Sequence, residues 1–579
     1  MSAFFGAIHI TNSQSLPALP GSPRLMMGGH LISGEDCAHS GDVAAAVTGR
    51  LTNGAGLIQS LSSLGVSLPP SPSFSDLILS AYLSWGRDFW RRLEGPLCAA
   101  ILDARSHTLL LARDPMGDGR VFYALSGSGL VFASRPDLLL QTPGLRPEID
   151  REGLCQLFGL GPARVPGTTP IKAIRELQMG QILYWDGSVH LNTGFTLEAR
   201  PHTDSPEATV SAVRAHLQRA VSSVRGLTPL CMLSGGLDST LLTALLAPQG
   251  GARSFSVDYA ENQRYFGDGS PYQGSEDAPF ALAASRALRT DHHTVTLSQQ
   301  SLSNALIPAR RARFFPGMAD VDSSLLLFCR GLSVQGKYVL SGECGDEVFG
   351  GYPWFTRREL IDSDTFPWSG SLALRASILR PAVRDKLHLP AFVQDAYRAS
   401  LSRLPALPGE DAADARLRQL QGLCFQYFMA NLQERALRMG EYAGISILTP
   451  YSDFRLAQYV YNVPWSLKTM GGMEKGLLRE AARGLLPDDL RLRKKSPYPK
   501  TYHPDYGREV AHMCLSALRR SDSPLAPLLD LDQVERLSQS ALSPRDLPWF
   551  GQLMTLPQML GYLIQLDDFL RAIHAEIIL

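Results

Sequence analysis

The chain has 579 residues, enough for about two to four domains and more than one hydrophobic core can hold. Lys plus Arg balance Asp plus Glu at 55 each, and 45% of residues are hydrophobic. That is the composition of a globular protein with no global field, so neither nucleic acid nor an anionic membrane is expected as a partner.

In chain order, the start Met1-Ser2-Ala3-Phe4-Phe5-Gly6 has neither a charged leader nor a long apolar run, and no secretory signal is expected. The eight cysteines include no CxxC pair, which predicts reduced thiols without zinc in a cytoplasmic protein. Pro201-His202-Thr203-Asp204-Ser205-Pro206 reads as a break, with a helical pattern from Glu207 and a domain boundary near 205.

Residues 228–232 form an apolar run of strand type, followed by Leu233-Ser234-Gly235-Gly236-Leu237-Asp238-Ser239 and by helical composition over 240–246. A strand, a glycine turn and a helix N-terminus in that order predict an anion site. Ser234, Gly235 and Gly236 let the backbone approach pyrophosphate, and the first helical N–H groups supply donors. Asp238 is then placed to hold Mg2+. The stretch lacks the Gly-x-x-x-x-Gly-Lys pattern that cradles β and γ phosphates, so AMP and pyrophosphate are the expected products.

Arg253-Ser254-Phe255-Ser256-Val257-Asp258 reads as a second parallel strand. The pair His292-His293 points to opposite faces if extended, which argues against a metal there. Further on, Tyr338-Val339-Leu340-Ser341-Gly342-Glu343-Cys344-Gly345-Asp346-Glu347 repeats the design of an apolar strand running into an acid-rich glycine turn. Ligands of a parallel sheet collect at the carboxyl ends of its strands, so Asp238 and Asp346 are expected to share Mg2+, leaving Glu343 for proton transfer. Residues 404–415 read as a flexible link between helices. In Arg493-Lys494-Lys495-Ser496-Pro497-Tyr498-Pro499-Lys500-Thr501 the prolines stiffen a loop suited to presenting a lysine to a cleft. The stretch 553–579 is apolar but interrupted by Pro557, Asp567 and Asp568, and predicts amphipathic helices in place of a membrane span.

Together with Pro316-Gly317-Met318-Ala319-Asp320-Val321-Asp322-Ser323-Ser324 and Glu474-Lys475-Gly476-Leu477-Leu478-Arg479, these motifs resemble the asparagine synthetase superfamily over nearly the whole chain. The resemblance implies an α/β protein of two domains. Residues 1–204 would be an Ntn-hydrolase-like αββα sandwich of the class II glutamine amidotransferase type. Residues 205–579 would be a parallel-sheet PP-loop ATP pyrophosphatase domain that forms an amide from an adenylated carboxylate, with ATP and Mg2+ as cofactors. By the same resemblance Leu233, Val257, Ser341 and Gly342 are expected at adenine, and Ser234, Gly235, Gly236, Asp238 and Ser239 in the ATP loop. Lys475 is expected on phosphate with Arg479 one turn later, and Lys495 as the cation that stabilises charge during adenylation and amine attack.

Three departures shape the functional expectation. The family's glutaminase carries a cysteine after the initiator methionine, where this chain has Ser2, which could still act as an N-terminal nucleophile. Its glutamine-gripping Asn-Gly-Glu aligns with Thr48-Gly49-Arg50, and the aspartate that meets the substrate ammonium aligns with Phe74. An unpaired ammonium there costs at least ~1 to 3 kcal/mol, so the first domain is expected to be a degenerate glutaminase. Strand-and-turn segments such as Leu109-Leu110-Leu111-Ala112-Arg113-Asp114 and Val121-Phe122-Tyr123 would preserve its scaffold.

Glu343 matches asparagine synthetases, whereas β-lactam synthetases place a tyrosine there. A Glu and an Arg of asparagine synthetases are replaced by Ser446 and Leu448, which is expected to remodel the wall of the acyl cleft. An adenylation site without a glutaminase resembles a lasso peptide cyclase, which activates an Asp or Glu side chain of a core peptide and closes a macrolactam with the peptide's N-terminal amine. The implied partners are a precursor peptide and a leader peptidase. The alternative is an asparagine synthetase-like enzyme using free ammonia or another small amine, and a non-catalytic scaffold is a weaker third.

Overall fold

The computed structural model describes residues 3–9, 16, 19, 22–27, 30–266, 276–540 and 548–579. The chain divides into two compact units, one of Met1–Gly153, Val165–Leu197 and Glu576–Ile578, the other of Leu154–Arg164, Glu198–Ala575 and Leu579.

The first unit holds two six-stranded antiparallel sheets. One is ordered Arg175–Glu176, Phe122–Ser126, Gly129–Ala133, Phe4–Ile8, His30–Gly34, Arg24–Met27, and the other Val189–Thr193, Gln181–Trp185, Thr108–Arg113, Leu97–Asp103, Val43–Gly49, Asp36–Ser40. Alternation along Val43–Gly49 divides its side chains between two cores. Ala44 and Ala46 pack with Phe4, Ile32 and Phe132 of the other sheet, while Val43, Ala45 and Val47 pack with Leu57, Leu77 and Ile78 of the helices Gly54–Ser63 and Phe74–Trp85. The turn after Arg113 is built on Asp114, whose carboxylate accepts the backbone N–H groups of Met116, Gly117, Asp118 and Gly119. Ser2 lies outside the described residues.

The second unit is built on a five-stranded parallel sheet ordered Asp291–Leu297, Arg253–Tyr259, Leu230–Met232, Tyr338–Leu340, Ser446–Leu448. Its core joins Leu230, Phe255 and Val339 of the strands to Leu325, Leu326 and Phe328 of the helix Asp320–Ser333. Helix Pro206–Arg225 begins where the break was read, capped by the Ser205 hydroxyl, which accepts from the Ala208 amide. The link predicted at 404–415 ends earlier: helix Leu389–Leu401 is followed by a connection to Asp411, which caps helix Ala412–Leu423, so residues 412–415 are its first turn. The histidine pair behaves as strand geometry requires: His292 meets Ser254 and Ser256, while His293 stacks on Phe255. None of the eight cysteines is in a disulfide, and all but Cys37 are buried.

One expectation is corrected at the C-terminus. The segment forms a single helix, Leu556–Ala572, buried on every side from Leu556 to Leu570. Its two acids have partners inside the protein: Asp568 is ion-paired to Arg310, and Asp567 accepts a hydrogen bond from the Ser523 hydroxyl. Residues that looked like a polar face are internal ion-pair and hydrogen-bond partners. Among the described residues no helix is long and apolar enough to cross a membrane.

Candidate active site

Leu230–Met232 is short because the chain leaves the sheet at Leu233, whose amide still donates to Phe255 O at 2.8 Å. Gly235 then turns at φ +71°, with its α-carbon pressed on the backbone of Phe280 and Ala281, so a Cβ would collide at 2.3 Å. Gly235 therefore shapes the turn without lining the cleft that follows. Helix Leu237–Leu246 starts with no side chain capping its N-terminus, and its first residues, Leu237 to Ser239, line that cleft. Ser239 Oγ braces the loop from inside, accepting from the Ser234 amide at 3.2 Å.

Asp238, one residue into this helix, is joined through Lys475 to Asp346, which lies in the short helix Gly345–Phe349 after strand Tyr338–Leu340. Between them stands Lys475, ion-paired to both, and Lys495 pairs with Asp346 from the other side. Two anions and two cations thus form one buried group. Burial drives the Asp238 carboxyl upward despite Lys475. Burial also acts on Asp346, but Lys475 and Lys495 outweigh it and hold its carboxyl below the ordinary value. Lys475 is raised: burial opposes its charge, and the two aspartates overcome that opposition. Gly351 makes the approach feasible, since a Cβ there would lie 2.0 Å from Asp346 Oδ1 and 2.2 Å from Lys475 Cε. Asp238 Oδ1 is buried without a hydrogen-bond partner. A hard oxygen with nothing to satisfy it suits Mg2+, so the donor set fits the cation the motifs imply.

The lysine loop is held rigidly. Arg493 stacks over the Phe280 ring, donates to Asp277 at 2.5 Å and reaches Ser234 O at 3.3 Å. The Lys495 amide donates to Glu474 Oε1 at 3.1 Å. Arg479, expected on phosphate, has its donors committed to Glu474 and to the carbonyls of Arg491 (2.6 Å) and Arg493 (2.9 Å). It clamps the loop that carries Lys495.

Glu343 sits at the cleft with its side chain one-fifth exposed, and Arg435 Nη1 donates to its Oε1 at 3.0 Å. Arg435 is buried, 3.4 Å from Asp322, donates to Val321 O and lies 4.6 Å over the Tyr498 ring. Beyond it Asp322 pairs with Arg313 at 3.3 Å. Arg435 escaped the sequence reading because it lies within a helical pattern 92 residues from Glu343, and no local signal marks it. Tyr352 was missed as well; it lies under Lys495 and donates to Glu347 at 2.7 Å. Burial pushes the Glu347 carboxyl up to about 8, with the neighbouring Asp346 adding to it.

Of the residues expected at the site, Leu233, Ser234, Gly236, Asp238, Ser239, Val257, Ser341, Gly342, Glu343, Asp346, Lys475 and Lys495 line this one cleft. Ser446 and Leu448 do not. They stand in the edge strand opposite Tyr338 and Leu340, where Leu448 O accepts the amide of cleft-lining Ser341 at 2.9 Å. In the first unit, Phe74 opens its helix and packs on the sheet-and-helix core, and the nearby Asp76 is spent in a capping box with Ser73. Arg50 follows Gly49, whose φ of +96° lets the chain lie against Pro96.

The asparagine synthase family model matches residues 212–564, and a glutamine amidotransferase domain model matches residues 36–194. The glutamine-hydrolyzing asparagine synthetase 3 of Bacillus subtilis (strain 168) is 38% identical over 93% of this chain and 89% of its own length. The glutamine-hydrolyzing asparagine synthetase 1 of the same organism is 22% identical over 74% of this chain and 71% of its own. Amidase chyE of Penicillium rubens is 25% identical over 74% and 73% respectively.

Proposed function

The chain belongs to the asparagine synthase family of ATP-dependent carbon–nitrogen ligases, and on that premise we propose that it adenylates an Asp or Glu side chain of a peptide and closes a macrolactam with the peptide's own N-terminal amine, as a lasso peptide cyclase does. What carries this reading is the coexistence of a complete acid-and-lysine cleft with a first unit that has Arg50 and Phe74 at the positions meant to grip glutamine. An amine carried by the substrate removes the need for released ammonia, and holding amine and acyl group together supplies much of the rate. A peptidase that frees that amine would act first.

In this reading the Ser234–Ser239 loop and the start of helix Leu237–Leu246 take the pyrophosphate, and Leu233, Val257, Ser341 and Gly342 border adenine. Mg2+, held by Asp238 and Asp346, would offset phosphate charge. As phosphate enters, Lys475 and Lys495 exchange carboxylate partners for phosphate oxygens. The substrate carboxylate oxygen bonds to the α-phosphorus, the bond to the β-phosphate oxygen breaks, and Lys495 stabilises the charge that develops. Glu343 next takes a proton from the incoming ammonium, the freed amine attacks the acyl carbon, and AMP leaves. Arg435 keeps Glu343 aimed at the cleft.

A second reading is an asparagine synthetase-like amidation using free ammonia or another small amine; the name of the 38% identical relative, a glutamine-hydrolyzing asparagine synthetase, favours its aspartate acceptor but not its ammonia source. Pyrophosphate release with ATP and Mg2+ decides between them, comparing a leaderless peptide bearing a free N-terminus with aspartate plus ammonium. Peptide-dependent release with a product lighter by one water supports the cyclase. Release with aspartate and ammonium, and none with peptide, overturns it.

A further inference from the structure

We propose that His9, His30 and His107 form a binding site for a first-row transition-metal ion of the zinc class, joining the two sheets of the first unit. The three residues come from separate stretches. His9 follows strand Phe4–Ile8, His30 opens strand His30–Gly34 of the same sheet, and His107 precedes strand Thr108–Arg113 of the other sheet. One nitrogen from each lies within 4.8 Å of the other two. The ring centroids stand 4.9, 5.3 and 5.6 Å apart, and His30 Nε2 is 3.0 Å from His107 Nδ1. Zinc–nitrogen bonds of ~2.0–2.1 Å in tetrahedral geometry set the nitrogens ~3.3 Å apart, so a small closing movement seats an ion and leaves its fourth position to water.

Three further observations favour a ligand. His9 and His107 both hold left-handed backbone, at φ 55° and 53°, a region non-glycine residues rarely occupy unless something requires it. His30 is 3% exposed, so its ring is fixed by packing beside the other two imidazoles. The ligand set is all imidazole, which selects zinc, nickel or copper over magnesium and so differs in kind from the carboxylates of the ATP cleft.

Proton bookkeeping is consistent with binding. His30 Nδ1 accepts the His9 amide at 3.2 Å, so its proton sits on Nε2 and points at the lone pair of His107 Nδ1. Seating the ion moves that proton to Nδ1, releases the His9 amide to water and frees both facing nitrogens as ligands, with no net proton lost. The site is independent of the ligase reading.

The test uses the full chain without a histidine tag, in excess Mg2+ to occupy the carboxylates, titrated with Zn2+ alone. The controls are His9→Asn, His107→Asn and the double variant, since asparagine tolerates the left-handed backbone. The parent should retain one zinc per chain after dialysis and melt higher with zinc. Each single variant should bind at least ~10-fold more weakly, and the double variant should lose both effects. Cobalt substitution should give a spectrum without thiolate charge transfer, which separates this site from the cysteines. Zinc retained undiminished by the double variant, or no zinc retained by the parent, overturns the proposal. Both histidines are exposed, so the fold survives these changes and circular dichroism verifies it.

Discussion

Lys495 combines a mobile charge with a fixed backbone: its ammonium pairs with Asp346 while its amide is tied to Glu474. Lys495→Ala should therefore remove the charge without loosening the loop. We expect turnover to fall ~10²–10³-fold while ATP still binds, measured by pyrophosphate release beside calorimetric titration of ATP. Turnover at the parental rate would sink the assignment. For Glu343→Gln the expected loss is ~10²–10⁴-fold in amide formation, with adenylation less affected because Glu343 acts only on the amine. Adenylate-dependent exchange of pyrophosphate into ATP separates the two half-reactions, and equal loss in both would count against a proton-transfer role.

At the scale of the element, the lysine loop and the C-terminal helix each depend on a buried charge. Asp568→Asn leaves Arg310 uncompensated inside the protein and should cost about 3–5 kcal/mol, read from denaturant unfolding. An unchanged midpoint would show that the pair is replaceable. Glu347 sets a pH dependence whose sign follows from its raised carboxyl. With a folded value of about 8 against an ordinary 4.5, the native state holds a proton that the unfolded state has released. This contribution to stability is greatest below the unfolded value and declines as pH rises toward 8, by up to ~1.4 kcal/mol per pH unit. Glu347→Gln should flatten that decline, so its advantage over the parent grows from about pH 5 to pH 8. Parallel pH profiles for the two proteins would refute it.

On the scale of the whole molecule, the question is whether the first unit feeds nitrogen to the second. Arg50 and Phe74 predict that glutamine will not support amide formation above background, whichever amine acceptor proves right. Mass spectrometry of the reaction with amide-labelled glutamine checks this directly. Label in the product would restore a glutaminase role to the first unit. The two sheets and both cores rest on alternating apolar packing along Val43–Gly49 and Thr108–Arg113, which Phe74 joins, so the fold itself does not require that glutamine be hydrolysed.

Local chemistry made much of this protein legible from its residues alone. The order of strand, glycine turn and helix is encoded within a dozen positions, so the Ser234–Ser239 loop, Asp238, Asp346 and the stiffened Lys495 segment could be read before any fold was known. Tertiary structure decided what depends on distant partners. Arg435 faces Glu343 only because the sheet and helices bring 343 and 435 together, and Arg479 spends its donors on carbonyls that no spacing rule reveals. Ser446 and Leu448 looked like a cleft wall in alignment yet occupy an edge strand, and the acids of Leu556–Ala572 looked like a polar face yet are buried in ion pairs and hydrogen bonds. Sequence determined the local backbone and the chemistry each segment can perform; which charges neutralise one another in the interior was decided by packing, because a buried charge takes its partner from whatever the fold brings near.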